Sequence, residues 1–387
     1  MLCDDISGII FGYLSFKSKH DFKKICESYY SFKITDLYQV DRKYLSKLND
    51  KLLKKYKYAT KLDAHDNINI SNVNHMINLK KIYISGSGIN DRGISKCVNI
   101  EDLNCKNYPN ITSIKHMTNL KILYANGHHC GIDNDEINNI YTLKTLLIDD
   151  NSKIKNINHM NDLKILSARG EYCDVSNETI SNLTKLEELN VSDNLKISNI
   201  NHMTNLTRLT IDGECGIVDD GISDLRSLEI LMCNDNIKIT DINHLTKLKI
   251  LYVNDCRGIT DINNLTKLKI LHANDHCGIT DDGIKSINLE ELYCSNNNII
   301  SDIHHMTNLR VLHMNDTPKI KNIKNLTNLK RLYIQGNCGI ACDQLQSLNL
   351  DQLDIIHNVE MIRDKDNIKA RKIFFHEGSE WTSDYEY

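Results

Sequence analysis

Sixteen histidines and thirteen cysteines are the side chains in this sequence best suited to chemistry: imidazoles for metal binding or proton transfer, thiols for metal or redox work. Six of the histidines recur at one place in a phrase. His75, His116, His159, His202, His244 and His305 each stand four residues before a leucine. Metal ligands must converge at about 2 Å from one ion, whereas side chains two strands apart in a sheet are roughly 10 Å from each other. Adjacent pairs such as His128–His129 and His304–His305 are expected to splay apart, so no metal ligand set emerges. The cysteines show no C-x-x-C at zinc spacing. Cys130, Cys215, Cys277 and Cys338 each precede Gly-Ile, at a turn where a small buried thiol packs well; redox exchange is the alternative. With no nucleophile motif, phosphate loop or separated acid–base pair, neither catalysis nor a cofactor is expected.

These residues are spaced by a repeat. Aligning every L-x-x-L-x-apolar phrase places an anchor at Leu62, Ile82, Leu103, Leu123, Leu146, Leu166, Leu189 and Leu209, then at Leu231, Leu251, Leu271, Leu292, Leu312, Leu332 and Leu353. The intervals run from 20 to 23 residues through fifteen units without a break. A strand alternates its side chains, so Leu251 and Val253 point inward while Ile250, Tyr252 and Asn254 point outward. Units of this period lay their strands side by side in parallel about 4.8 Å apart, which predicts an arc of roughly 70 Å. A one-residue slip would expose the whole column of leucines, and this fixes the register. Two kinds of unit alternate through much of the array. Short ones end I-x-x-I-x-H-M-x-x-L, as in Ile154–Leu163 and Ile197–Leu206. Longer ones read C-G-I-x-(D/N)-(D/E)-(G/E)-I, as in Cys130–Ile137, Cys215–Ile222 and Cys277–Ile284, with room for one or two helical turns.

Over residues 56–358 the array resembles the leucine-rich-repeat family. Its short units resemble bacterial internalin-type repeats, and its longer units resemble the cysteine-containing subclass found in F-box proteins. The resemblance implies an α/β solenoid, an arc of about fifteen short parallel strands.

What varies from unit to unit is the outward position between the two inward anchors. It reads Asp63, Tyr83, Asn104, Tyr124, Leu147, Ser167, Asn190 and Thr210, then Met232, Tyr252, His272, Tyr293, His313, Tyr333 and Asp354. Ile230, Met232, Ile250, Tyr252, Ile270, His272, Tyr293, Val311 and His313 are expected to form one apolar and aromatic patch on the concave wall. Such patches mark partner sites, although Ile and Tyr also simply suit strands. Asp235, Asp255, Asp275 and Asp316 border the patch and would favour a partner with a basic rim.

Residues 1–40 do not follow the repeat. Leu2, Ile6, Ile9, Ile10 and Leu14 fall at helical spacing, followed by Phe22, Ile25, Cys26 and Tyr29. A small helical cap would account for them. The phrases L-C-D-D-I-x-x-I-I-F-x-Y-L and D-F-x-x-I-C-x-x-Y-Y also resemble the F-box, with Cys3 where that family has Pro and Tyr29–Tyr30 where it has an aromatic, often Trp. The combination looks like the F-box and repeat proteins of giant amoebal viruses. Carried over by position, this resemblance implies a small helical F-box-like domain binding a Skp-family adaptor through Leu2, Ile6, Ile9, Phe11, Leu14, Ile25, Cys26 and Tyr29. It further implies a cullin–RING ubiquitin ligase as partner and an unidentified protein as target, a host protein if the chain is viral. The competing expectation is a stand-alone scaffold or inhibitor whose N-terminus only caps the array.

Domain boundaries are accordingly expected at 1–40, 41–58 (a basic amphipathic linker helix), 59–358 (the repeats) and 359–387 (a cap and disordered tail). A chain of 387 residues would ordinarily split into two or three cores, but a linear array escapes that limit. A net charge of −4 with interspersed signs argues against nucleic acid. Asp4 and Asp5 stand where an export leader needs basic residues, and no apolar run is long enough for a membrane span. An intracellular protein with reduced cysteines, cytoplasmic or nuclear, is expected.

Overall fold

The computed structural model describes residues 35–38, 42–356 and 370–376. The chain divides into two compact units, Met1–Leu186 and Glu187–Tyr387. In the first, strands β1 (Asp36–Leu37), β2 (Lys61–Asp63), β3 (Lys81–Tyr83), β4 (Asp102–Asn104), β5 (Ile122–Tyr124), β6 (Thr145–Leu147) and β7 (Ile165–Ser167) each pair in parallel with the next. The second unit repeats the pattern with β8 (Glu188–Asn190), β9 (Arg208–Thr210), β10 (Ile230–Met232), β11 (Ile250–Tyr252), β12 (Ile270–His272) and β13 (Glu291–Tyr293). It continues with β14 (Val311–His313), β15 (Arg331–Gln335), β16 (Gln352–Ile356) and β17 (Ile373–His376). Each unit is a parallel-strand solenoid, and β2–β16 are the fifteen turns whose anchors recur in the sequence.

The register places anchor on anchor: Leu231 pairs with Leu251, Leu251 with Leu271, Leu271 with Leu292. All are fully buried, as are Val253 and Ala273 two residues beyond, while the residues between them stay half-exposed. Stacking one leucine column on the next supplies the hydrophobic core that no single unit of this length could make.

Every strand of the second unit from β8 to β15 leaves the sheet through a residue at positive φ. Asp193, Asp235, Asp255, Asp275, Asn296 and Asp316 have φ between 48° and 59°, and Gly213 and Gly336 occupy the equivalent place at 66° and 64°. Asp and Asn tolerate the left-handed region better than other residues with a side chain. The acidic row bordering the patch therefore has a backbone cause as well as any role in recognition. At Gly213 an added Cβ would collide with the Asp193 carboxylate. Gly213→Ala is expected to cost about 1–3 kcal/mol in urea unfolding, whereas Asp255→Gly, at an equivalent site, should change stability by less than about 1 kcal/mol.

The longer units hold single helical turns, at Asp91–Ile94, Asn134–Ile137 and Asn177–Ile180 in the first unit and Asp281–Ile284 in the second, with a 3-10 turn at Asp219–Ile222. The recurrent histidines close these turns. His116 Nε2 lies 3.3 Å from the Ile94 carbonyl and His159 Nε2 3.0 Å from that of Ile137; His244 and His305 repeat the contact with Ile222 and Ile284 at 3.0 and 3.1 Å. A carbonyl only accepts, so each Nε2 carries the proton and donates. In these four short repeats the histidine thus satisfies the orphan carbonyl ending the helical turn before it, whereas His75 Nε2 is buried without a partner.

The basic stretch before the repeats is not one continuous helix. It breaks into helical turns at Arg42–Leu45 and Asp50–Leu53 followed by a 3-10 turn at Lys54–Tyr56. Asn67, buried at the first strand exit, donates to the carbonyls of Leu45 and Leu48 at 2.7 and 3.0 Å, and Asn49 caps the second turn by accepting from Leu52 N–H. The break is held by side chains that compete with helix continuation.

Candidate functional site

The outward positions of β10–β15 come into register as Met232, Tyr252, His272, Tyr293, His313 and Tyr333. Five of them form an unbroken ring stack. Centroid separations are 4.2 Å for Tyr252–His272, 4.0 Å for His272–Tyr293, 4.4 Å for Tyr293–His313 and 3.9 Å for His313–Tyr333, with interplanar angles from 5° to 22°. In a parallel sheet, equivalent residues repeat at the strand spacing of about 4.8 Å, close to the thickness of stacked rings. Identical backbone placement therefore makes neighbouring rings parallel. Tyr293, at the centre, donates from its hydroxyl to Glu291 Oε2 at 3.0 Å.

The sequence assigned Tyr252, His272, Tyr293 and His313 to this surface but omitted Tyr333. Its signal was present in its position, one after the anchor Leu332, and was masked by the preceding polar Arg331. Ile230, Ile250 and Ile270 align as a second row and Met232 ends the first, all half-buried. Val311 is a correction. It is only 2% exposed, flanked in the register by Glu291 and Arg331, whose longer side chains stand where the neighbours of Ile250 are themselves short. The residues assigned to adaptor binding, Leu2, Ile6, Ile9, Phe11, Leu14, Ile25, Cys26 and Tyr29, lie outside the described residues.

Beyond the rings the strand exits are tied by a ladder. Asp212 N–H donates to Ser192 Oγ, Asn234 to Asp212 Oδ1, Asn254 to Asn234 Oδ1, Asn274 to Asn254 Oδ1, Ser295 to Asn274 Oδ1 and Asn315 to Ser295 Oγ, at 2.7–3.3 Å. Each side chain satisfies the next unit's backbone, so the rim beside the rings is rigid. The acidic row lies one residue further on. Burial, then repulsion from Asp255, Asp275 and Asp193, raises the Asp235 carboxyl above its ordinary value. At the opposite strand ends, Lys249–Glu229 and Lys269–Glu290 pair at 2.7 Å and neutralise each other. The surface is thus apolar and aromatic at its centre and negative along one edge.

Burial depresses the two imidazoles. His272 falls to about 4, and His313 also to about 4, with His272 two strands away and Arg331 adding to burial. Both are neutral in the stack at pH 7. Because their folded values lie below the ordinary 6.5, the unfolded chain takes up protons that the native stack refuses. Stability is then complete above about pH 6.5 and lost as pH falls toward 4. Allowing for partial solvent screening, about 1–3 kcal/mol in total is at stake. Comparing urea midpoints at pH 7 and pH 5 for the native chain and the double variant His272→Phe with His313→Phe should show a smaller pH effect in the variant.

Thiols take structural places. Cys256 Sγ donates to the Asn236 carbonyl at 3.0 Å, and Asn236 Nδ2 in turn reaches the Ile211 carbonyl at 2.8 Å and Cys215 Sγ at 3.2 Å. Burial pushes the Cys277 and Cys294 thiols up to about 12, so they stay protonated and unreactive.

A family model for leucine-rich repeats in two copies matches residues 287–328. No curated protein matches the sequence significantly. Among solved structures, a leucine-rich-repeat protein of Leptospira interrogans is similar at 18% identity and a TM-score of 0.58, over 85% of this chain and 92% of that one. The functional domain of InlJ from Listeria monocytogenes, which includes a cysteine ladder, gives 18% identity and 0.55 over 79% and 70%. An internalin, InlF, from the same organism gives 22% and 0.50 over 77% and 87%. No helix among the described residues is long and apolar enough to cross a membrane. Leucine-rich repeats are present in this chain, and its solenoid has the fold of leucine-rich-repeat proteins.

Proposed function

We propose that the protein is a non-catalytic recognition scaffold that holds a protein partner on the outer face of β10–β15. The observation that carries this reading is the five-ring stack from Tyr252 to Tyr333, set on a hydrogen-bonded rim. Rigid aromatic surface binds at low entropic cost. The flanking carboxylates Asp235, Asp255, Asp275 and Asp316 select a partner with basic residues at its edge.

In its finer form the reading makes this protein the substrate-recognition subunit of a ubiquitin ligase. Support comes from the F-box-like phrases in residues 1–40, placed directly ahead of cysteine-containing repeats. Leu2, Ile6, Ile9, Phe11, Leu14, Ile25, Cys26 and Tyr29 would contact a Skp-family adaptor inside the cell, and the repeat face would present a target, a host protein if the chain is viral. Pull-down of the full chain with the adaptor tests this part. Binding that Ile9→Asp or Leu14→Asp abolishes, with far-UV circular dichroism unchanged, supports it. Absence of adaptor binding by the intact chain leaves a stand-alone scaffold.

A further inference from the structure

One short repeat places an imidazole where three others place a bridging asparagine. In three short repeats of the second unit the residue before the histidine phrase position is an asparagine that bridges to the following repeat, and in the last short repeat Lys324 stands there and pairs with Asp343 at 3.6 Å. Asn201 Nδ2 donates to the Asp220 carbonyl at 2.7 Å while its Oδ1 accepts from Asp224 N–H at 3.0 Å. Asn243 makes the same pair with Asp261 and Asn264 at 3.1 and 3.2 Å, and Asn263 with Asp282 and Ser286 at 2.7 and 2.8 Å. At the equivalent place stands His304. Among the described residues it makes neither bond, and its Nδ1 turns back onto Asp302 Oδ1. The two bridging bonds have been given up for an imidazole beside a carboxylate.

A second imidazole completes the cluster. Sequence reasoning expected His304 and His305 to splay apart, but their rings lie 5.9 Å apart and nearly perpendicular. One ligand atom from each of Asp302, His304 and His305 falls within 4.8 Å of the others. His305 donates from Nε2 to the Ile284 carbonyl at 3.1 Å, which fixes the ring and leaves the lone pair on Nδ1. A backbone carbonyl holding the distal N–H of an imidazole is the usual outer support of a metal-bound histidine. The same support recurs at His116, His159 and His244 as a repeat feature. Only at 302–305 does it sit beside both a second histidine and an aspartate.

We propose that Asp302, His304 and His305 form a binding site for a divalent transition ion of the zinc type. One carboxylate oxygen and two imidazole nitrogens suit such an ion better than calcium or magnesium, which prefer all-oxygen sets. The ion takes the place of the proton between Asp302 and His304. Ligand atoms around a tetrahedral ion at about 2.0–2.2 Å stand roughly 3.3–3.6 Å apart, and rotation of the exposed His304 ring closes the remaining gap. Three protein ligands leave a fourth position open to water or to a group on a partner. This site is independent of the proposed recognition face.

The test is calorimetric titration of Zn2+ into the full-length, reduced protein and into His304→Asn. That variant installs the asparagine found at Asn201 and Asn243, so it is expected to fold at least as well as the native chain. Native protein should bind one ion that the variant binds at least tenfold more weakly, and Zn2+ should raise the melting temperature of the native chain more than that of the variant. Asp302→Asn should weaken binding in the same direction. Equal affinity in native and His304→Asn proteins, within twofold, places any zinc elsewhere and overturns the proposal, as does no uptake by the native chain at millimolar Zn2+.

Discussion

Leu251→Asp is expected to abolish cooperative folding around β11, whereas Ile250→Asp, one residue earlier, leaves the chain folded. Leu251 is fully buried and sits in register between Leu231 and Leu271, both fully buried as well. Truncating such a leucine costs about 2–5 kcal/mol. A carboxylate adds the penalty of an unpaired charge in an apolar column, which brings the total to the order of the whole net stability of a domain. In a linear array each unit contacts only its neighbours, so the loss is not shared with a distant core. Ile250 faces outward and is half-exposed, and its replacement should change stability by about 1 kcal/mol or less. Far-UV circular dichroism with urea melts distinguishes the two. Equal effects would mean that the alternation of inward and outward residues is wrong.

Tyr293→Ala is expected to weaken partner binding by about 2–3 kcal/mol, roughly thirty- to a hundred-and-fifty-fold. Tyr293 is the middle ring of the five and stacks on His272 and His313 at 4.0 and 4.4 Å. Its removal interrupts the surface at the centre, where binding energy concentrates, and frees its two neighbours to rotate. The hydroxyl paired with Glu291, raised to about 12 by burial first and that carboxylate second, is lost with it. Folding should suffer by only about 1–2 kcal/mol, because the ring is half-exposed and the leucine column beneath is untouched. Surface plasmon resonance with the captured partner measures the loss. Asn104→Ala, at the equivalent outward position of β4, should leave affinity unchanged.

The strands were legible because two constraints coincide in the letters: a period of 20 to 23 residues and the alternation of Leu251, Tyr252 and Val253. Neither survives a register error, so the anchors could be placed without a structure. The outward positions of β10–β15 followed from the same alternation. What the letters could not carry was the consequence of register for side chains in different units. Tyr252, His272, Tyr293, His313 and Tyr333 are about twenty residues apart, and nothing local says that their rings stack; Val311 looks as exposed as Ile250 until its flanking Glu291 and Arg331 are placed.

The acids at the strand exits were read for their charge, but their positive φ shows a backbone demand that Asp, Asn and Gly meet in turn. The histidine phrase was seen as a regular element of the repeat without its purpose, because the carbonyl it caps lies 21 or 22 residues earlier. The linker was read as one helix from its amphipathic pattern, whereas Asn67 captures its carbonyls from a later position. For the histidines and the linker the missing information was a hydrogen bond to a residue about twenty positions away.

Hydroxyl-radical footprinting of the full-length protein, read by mass spectrometry with and without the captured partner, addresses the recognition face most directly. Tyr252, Tyr293 and Tyr333 should be oxidised in the free chain and protected in the complex, while Leu251, Leu271 and Leu292 remain unmodified in both. Labelling of those leucines in the free chain, or tyrosines whose oxidation the partner does not change, would contradict the account.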